Sequence, residues 1–284
     1  MKAPPFAYVR ARSLAGVFDL LEQHGERAKL LAGGQSLIAA LNMRLSAPDL
    51  LIDITRLAEL GGIQMRDGVA RIGALTTHAE IERSAEIRRH LPLLAQAAPH
   101  IAHAAIRNAG TFGGSIALAD PAAEWPACCV ALDAQFVLAC RAGTRRVAAR
   151  AFFKGLYATA LNPQEVLTQI EIPVPGPEYR SAFVELALRR GDYAIAGLAA
   201  VARNTRGALS DLRLAFLGVG AAPALARGAM AAMEGKRAST DAIAAATQAL
   251  VKDLEPGADL YSSAATRMQL ARVLTGRALA ALAA

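Results

Sequence analysis

Two glycine-rich segments constrain this chain more than anything else in it. The first reads Ala32-Gly33-Gly34-Gln35-Ser36-Leu37, the second Asn108-Ala109-Gly110-Thr111-Phe112-Gly113-Gly114-Ser115. Each places consecutive glycines beside a hydroxyl residue, where backbone N–H groups converge on an anion without side-chain obstruction. A diphosphate has two charged groups to hold, so a pair of such loops points to a dinucleotide. The first loop follows the apolar strand Lys29-Leu30-Leu31-Ala32 and opens a helix marked by Leu37, Ile38, Leu41 and Leu45 on one face. It is not a Walker loop, because no Gly-Lys-Ser/Thr follows, and it does not match G-x-G-x-x-G. A third segment, Gly218-Val219-Gly220-Ala221-Ala222-Pro223, imitates that fingerprint but carries proline in place of its last glycine. It reads as a strand-to-helix connection.

The 284 residues, 54% hydrophobic, are enough for two domains with cores of their own. No apolar run approaches the roughly 20 residues that cross a bilayer, and Met1-Lys2-Ala3-Pro4-Pro5 lacks a secretory h-region. The expectation is a soluble, cytoplasmic protein. Cys128, Cys129 and Cys140 have no metal-ligand spacing and fit buried, inert thiols in a reducing compartment. An iron–sulfur cluster usually needs four cysteines, so the chain carries none alone, and no metal site is expected. The net charge of +7 raises the question of nucleic acid. The arginines are scattered in ones and twos without interleaved aromatics, which argues for a solvated surface instead.

Ser13 caps a helix over Leu14–Leu21, and Leu50-Leu51-Ile52-Asp53-Ile54 reads as a buried strand. Alternation on either side of Arg66-Asp67-Gly68 predicts a hairpin. Helices are expected around Thr77–Arg83, Pro92–Ala98 and Ala122–Ala131, then strands at Phe136–Ala139, Arg146–Arg150 and Gln169–Ile172. The cluster Pro173-Val174-Pro175-Gly176-Pro177 marks a boundary. Beyond it come three strands, Tyr179–Leu188, Leu198–Arg203 and Leu212–Val219, and then alanine-rich helices over 222–234, 239–251 and 262–283. His78, His100 and His103 read as loop or helix-surface residues, although the last two lie close to the second loop.

At its loops the sequence resembles the flavoprotein (medium) subunits of molybdenum hydroxylases, of the carbon monoxide dehydrogenase and xanthine dehydrogenase type. The resemblance runs nearly end to end. It is carried by Pro5-Phe6-Ala7-Tyr8, Leu31–Leu37, Asn42-Met43-Arg44-Leu45, Ile106–Ser115, Ala119-Asp120-Pro121-Ala122-Ala123-Glu124 and Arg189-Arg190-Gly191-Asp192-Tyr193-Ala194.

It implies an α+β chain with the vanillyl-alcohol oxidase-type FAD-binding fold. Two α/β subdomains, 1–55 and 56–175, would be followed by a C-terminal α+β domain, 178–284, with a three-stranded sheet and helices. The resemblance gives Leu31, Ala32, Gly33, Gly34, Gln35, Ser36 and Leu37 to the pyrophosphate on one side. Gly110, Thr111, Gly113, Gly114 and Ser115 would close from the other. Ile101, Ala102 and Ile106 match positions lining the flavin and adenosine parts, Glu124 an acidic residue near the cofactor, and Leu161 an apolar contact. Tyr193 matches a ring lying over the isoalloxazine. Ser115 stands where relatives often have Asn or Asp. Glu185 falls where the family has a lysine near the flavin, and a carboxylate there would disfavour negative charge on a reduced cofactor.

No residue stands out as a covalent flavin attachment point, so FAD is expected to be non-covalent and no residue of this chain is expected to be catalytic. The resemblance further implies an electron-transfer subunit taking electrons from a partner iron–sulfur cluster and passing them to an external acceptor. The molybdenum cofactor would sit on a large partner subunit and [2Fe-2S] clusters on a small one, in a dimer of heterotrimers. A stand-alone flavin oxidoreductase and a flavin-free scaffold subunit are the alternatives.

Overall fold

The computed structural model describes residues 2–284. Its first layered unit is a three-stranded parallel sheet. β1 (Ala7–Arg10) and β2 (Ala28–Leu31) flank the fully buried β3 (Leu50–Asp53), with α1 (Leu14–His24) and the short α2 (Leu37–Asn42) as crossovers. Ser13 caps α1 by accepting from the Gly16 N–H. Val17 and Leu21 of α1 pack on Ile52 of β3 and on Leu57 and Leu60 beyond it. β1 was not legible in the sequence. Its four residues are all exposed and carry no alternation, so only pairing with β3 identifies them.

The second sheet is antiparallel throughout, in the order β4 (Ile63–Arg66), β5 (Val69–Gly73), β10 (Val166–Pro173), β6 (Gln135–Cys140), β7 (Gly143–Ala148). The expected hairpin joins β4 and β5, and positive φ at both Asp67 (53°) and Gly68 (73°) gives the turn the twist that antiparallel strands favour. Between β5 and β6 runs a chain of short helices: α3 (His78–Arg83), α4 (Ala85–His90), α5 (Pro92–Ala97), α6 (Ala104–Arg107), α7 (Phe112–Leu118) and α8 (Glu124–Ala131). Each break has a local cause. Thr77 and Glu80 form a capping box on α3, Ser84 ends it and caps α4, and Pro92 opens α5. Between β7 and β10 lie α9 (Ala149–Phe152) and the small hairpin of β8 (Phe153–Gly155) and β9 (Ala158–Thr159). The expected strand over Arg146–Arg150 therefore ends at Ala148, where the chain turns into α9.

Past the Pro/Gly cluster, β11 (Tyr179–Ala187), β12 (Ala194–Thr205) and β13 (Ala208–Leu217) form a long antiparallel meander. The two-residue strands β14 (Ala224–Leu225) and β15 (Lys236–Arg237) extend it at β13. Gly218–Pro223 therefore leads into β14 before α10 (Arg227–Met233) begins. One face of the meander packs under α10, α11 (Thr240–Asp253) and α12 (Ala264–Ala283), burying Leu198, Leu214, Phe216, Leu250, Leu274 and Leu279. The opposite face, through Phe183, Ala199, Val201 and Leu217, joins the core of the second sheet's helices around Trp125, Phe112 and Leu94. The architecture is mixed α+β, and no helix among the described residues is long and apolar enough to cross a membrane.

Candidate functional site

The two glycine segments meet. A Cβ built on Gly33 falls 2.8 Å from Gly110 Cα and against the Ala109 carbonyl, so the backbones approach to a distance that excludes any side chain at 33. Gly34 beside it has φ of +71°, and the Gln35 side chain folds back to donate to the Gly33 carbonyl at 2.8 Å. Among the described residues, none of the backbone N–H groups of Gly33, Gly34, Gln35, Ser36 and Leu37 has a protein acceptor. Ser36 begins α2 without making a side-chain cap. Five successive donors on a half-exposed turn form a backbone cradle suited to a phosphate group.

The second segment is built differently from the sequence expectation. It is not a free loop, because Gly113, Gly114 and Ser115 lie in the first turn of α7. Its amides are already engaged: Phe112 N–H with the Thr76 carbonyl at 2.9 Å, Gly113 N–H with Ala74 at 2.8 Å, Gly114 N–H with Thr111 Oγ1 at 3.1 Å and Ser115 N–H with Thr111 at 3.1 Å. Gly113 is pressed on the Ala74 backbone, where a side chain would collide. The glycines here serve close approach between chain segments, and the segment works as a rigid wall for the first loop. What it offers outward is the half-buried Ser115 and the residues around Gly114, whose built Cβ lies 3.9 Å from that of Ala32.

The reading of His78 as a surface residue is overturned. His78 is 6% exposed, with its ring beside Gly110, where a built Cβ falls 2.7 Å from Nε2. Burial, with the nearby positive charge of Arg107, lowers its pKa to about 4. His100 is half-buried and His103 is exposed at the start of α6. The helical face expected from Leu37, Ile38, Leu41 and Leu45 is also reduced, because α2 ends at Asn42 and only Leu41 is buried; Leu45 is exposed.

Ile101 and Ala102 are held by a residue that sequence reasoning passed over. The Arg107 guanidinium donates to the carbonyls of Ile101 (2.9 Å) and Ala102 (3.0 Å) and forms a two-point ion pair with Glu82 (2.8 and 3.2 Å). Ala102, with φ of +43°, lies against Gly191 of the β11–β12 turn, which carries Tyr193. Ile106 accepts the Gly110 N–H at 2.7 Å and so links α6 to the second segment. Tyr193 itself is exposed, within the field of Asp120 and Glu124. Leu161 packs half-buried on the second core. Glu124 is buried at the start of α8, and burial, helped by the charge of Asp120, raises its pKa to about 7. Tyr157, a neighbour the sequence did not flag, donates to Asp120 Oδ2 at 3.2 Å.

Cys128 and Cys129 are fully buried with thiol pKa values driven upward by that burial, as the inert reading expects. No group of histidine, cysteine or acidic residues capable of holding a metal ion occurs among the described residues.

Two adjoining family descriptions cover this architecture. Residues 4–175 match the FAD binding domain in molybdopterin dehydrogenase, and residues 181–282 match the CO dehydrogenase flavoprotein C-terminal domain. The chain belongs to this FAD-binding subunit family. It is 38% identical to the 6-hydroxypseudooxynicotine dehydrogenase complex subunit alpha of Paenarthrobacter nicotinovorans, over 99% of this chain and 95% of the relative. It is 37% identical to the carbon monoxide dehydrogenase medium chain of Hydrogenophaga pseudoflava, over 98% and 97%. The solved carbon monoxide dehydrogenase of Hydrogenophaga pseudoflava, in a form lacking the Mo-pyranopterin moiety, contains a chain that superposes with a TM-score of 0.97 at 39% identity. The match covers 99% of this chain and 98% of that one. The match to the FAD binding domain spans the first two sheets and includes both Gly33–Leu37 and Gly110–Ser115.

Proposed function

We propose that this chain is the FAD-carrying electron-transfer subunit of a molybdenum-containing hydroxylase or dehydrogenase. It would take electrons from a partner's iron–sulfur cluster and pass them to an external acceptor. The observation that carries the reading is the row of five unpartnered N–H donors from Gly33 to Leu37, backed by the wall at Gly110–Ser115. Donors without protein acceptors on a turn that cannot accept a side chain fit a pyrophosphate, and FAD when bound supplies the redox chemistry. In this reading Leu31, Ala32, Gly33, Gly34, Gln35, Ser36 and Leu37 hold one side of the cofactor. Gly110, Thr111, Gly113, Gly114 and Ser115 shape the other, with Ile101, Ala102, Ile106, Glu124, Leu161 and Tyr193 around the rings. Binding is non-covalent.

The relatives named above are a subunit and a medium chain by name, and both align over nearly their full length, which supports a partner-dependent role. We place the molybdenum cofactor on a large partner and [2Fe-2S] clusters on a small one, in a dimer of heterotrimers, with residues 1–55, 56–175 and 178–284 as the three structural units of this subunit. Three free cysteines fit a cytoplasmic site of action.

The test is a visible spectrum of the purified protein before and after acid precipitation. Flavin bands released by acid and identified as FAD support the reading, and added iron–sulfur absorbance identifies the co-purifying partner. A colourless protein that takes up no added FAD refutes it and favours a scaffold role.

A further inference from the structure

Glu185 lies on β11 opposite Gly197 of β12, and on the same face as Phe183 it points into the seam where α5 and α8 pack on the sheet. Its side chain is only 3% exposed, Oε2 has no hydrogen-bond partner, and Oε1 stands 3.8 Å from His100 Nδ1. That separation is too long for a hydrogen bond. His100 is itself biased toward the neutral form, by burial and then by Arg190 from the turn after β11. From α8, Glu124 directs its negative field at Glu185, and Cys128, four residues further along α8, feels both carboxyls. Asp120, in the loop before α8, adds a third acidic group. Among the described residues, no lysine or arginine forms an ion pair with Glu124 or Glu185. Burial disfavours the charged form of each carboxyl, and the repulsion between them disfavours both being ionised together.

We propose that Glu124 and Glu185 form a proton-holding pair, open to solvent through His100, that links the charge of the bound cofactor to proton uptake. The proposal rests on the FAD reading above. Where the family resemblance expects a lysine, which offers a fixed positive charge, this chain has an acid that is neutral while it keeps its proton. Negative charge arriving on the cofactor raises the proton affinity of a carboxyl in its field, and the pair takes a proton from water, one carboxylate becoming one carboxylic acid. By reciprocity, a pair that already holds its proton makes electron uptake easier. Burial, with the charge of Glu124, moves the Glu185 pKa up to about 8, which puts this exchange near neutrality.

Two measurements on the FAD-loaded protein, with dithionite as reductant, test the idea. Infrared spectroscopy at neutral pH should show the carbonyl stretch of a protonated carboxylic acid, and that band should be lost on raising the pH and in Glu185→Gln. The FAD midpoint potential should fall more steeply with pH in the wild type than in Glu185→Gln, which keeps the shape of the protonated side chain but cannot titrate. A wild-type protein without the band, or a potential whose pH slope is the same in both proteins, overturns the proposal. A protein that binds no FAD overturns the cofactor reading and the coupling with it, while the carbonyl band still decides whether the pair holds a proton.

Discussion

The indole Nε1–H of Trp125 donates to Nδ1 of His78 at 2.9 Å, inside the core that supports the second glycine segment. This bond requires His78 to be neutral with its proton on Nε2, the nitrogen that faces Gly110. A histidine whose pKa is lowered on folding from its ordinary 6.5 to about 4 contributes stability above 6.5 that is lost as pH falls through 4. Trp125→Phe removes the donor and leaves Nδ1 buried without a partner, at a cost of about 1–3 kcal/mol. It also makes His78 easier to protonate. Acid unfolding followed by circular dichroism should shift to higher pH in the variant, and an unchanged acid midpoint would exclude this role for the bond.

Gly33→Ala forces a methyl group into the Gly110 backbone, so the two segments must separate. The expected outcome is a fall of at least tenfold in FAD affinity, measured by equilibrium titration, with a lower Tm. Gly34→Val is a less clean probe. At φ of +71° any β-branched residue strains the chain, so lost cofactor retention there would be mixed with lost stability. If Gly33→Ala binds FAD as the wild type does, the junction is not the cofactor's seat.

Sequence reasoning reached the parts of this molecule whose local chemistry fixes their shape. The Asp67-Gly68 turn and the strand entering Gly33-Gly34 needed only neighbouring residues to be read. The second glycine segment shows the limit. Whether the N–H groups of Phe112 and Gly113 are free depends on Thr76 and Ala74, far away in the chain, and these residues take them up, while Thr111 takes those of Gly114 and Ser115. His78 looked like a surface histidine because its partners, Trp125 and Gly110, become neighbours only when α3, α7 and α8 pack. Glu185 was read as a charged group from its residue type alone. Its raised pKa follows from burial in a seam that no local pattern announces.

The carboxyls of Glu124 and Glu185 make stability depend on alkali as well. Their pKa values are raised on folding, to about 7 and about 8, first by burial in both cases. A carboxyl with a raised folded value stabilises the fold while protonated, fully so below its ordinary value of 4.5. That contribution is lost as pH rises through 7 and 8. Chemical denaturation of the cofactor-free protein should therefore show falling stability across this range, with a shallower fall in Glu185→Gln. Equal slopes would mean that Glu185 is not held neutral by the fold.

Asp53 runs the opposite way. It accepts from Tyr8, from Arg10 Nε at 3.0 Å, and from the Thr55 N–H (2.9 Å) and hydroxyl (2.6 Å), tying β1 to the end of β3. Burial works against its ionised form, but the bonds from Thr55, Tyr8 and Arg10 prevail and hold its pKa well below the ordinary 3.8. Its stabilisation is present above that ordinary value and lost as pH falls beneath it. Asp53→Ala should cost about 2 kcal/mol, below the roughly 3–5 kcal/mol of a fully buried pair because Arg10 is half-exposed. Hydrogen exchange should accelerate first in β1, and protection left intact there would show that Asp53 does not anchor the strand.

Arg107 gives the sharpest separation between holding the cofactor's surroundings and touching the cofactor. Its side chain is 13% exposed and directs its donors inward, two to Glu82 and two to the carbonyls of Ile101 and Ala102. Ala102 stands at a positive φ that costs energy for a residue with a side chain, so the guanidinium stabilises a conformation the segment would not adopt alone. Ala102 in turn backs Gly191, two residues before Tyr193. Arg107→Lys keeps the charge but loses the two-sided fork, and Arg107→Ala leaves Glu82 without this partner. In both variants the 101–103 segment should relax, releasing the Gly191 turn and Tyr193. FAD affinity should fall several-fold in Arg107→Lys and more in Arg107→Ala, and Tyr193 should become more accessible to a solution quencher of its fluorescence, read in a Tyr193→Trp background. Unchanged quenching together with weakened FAD binding would separate the two effects and remove Arg107 from the path to Tyr193.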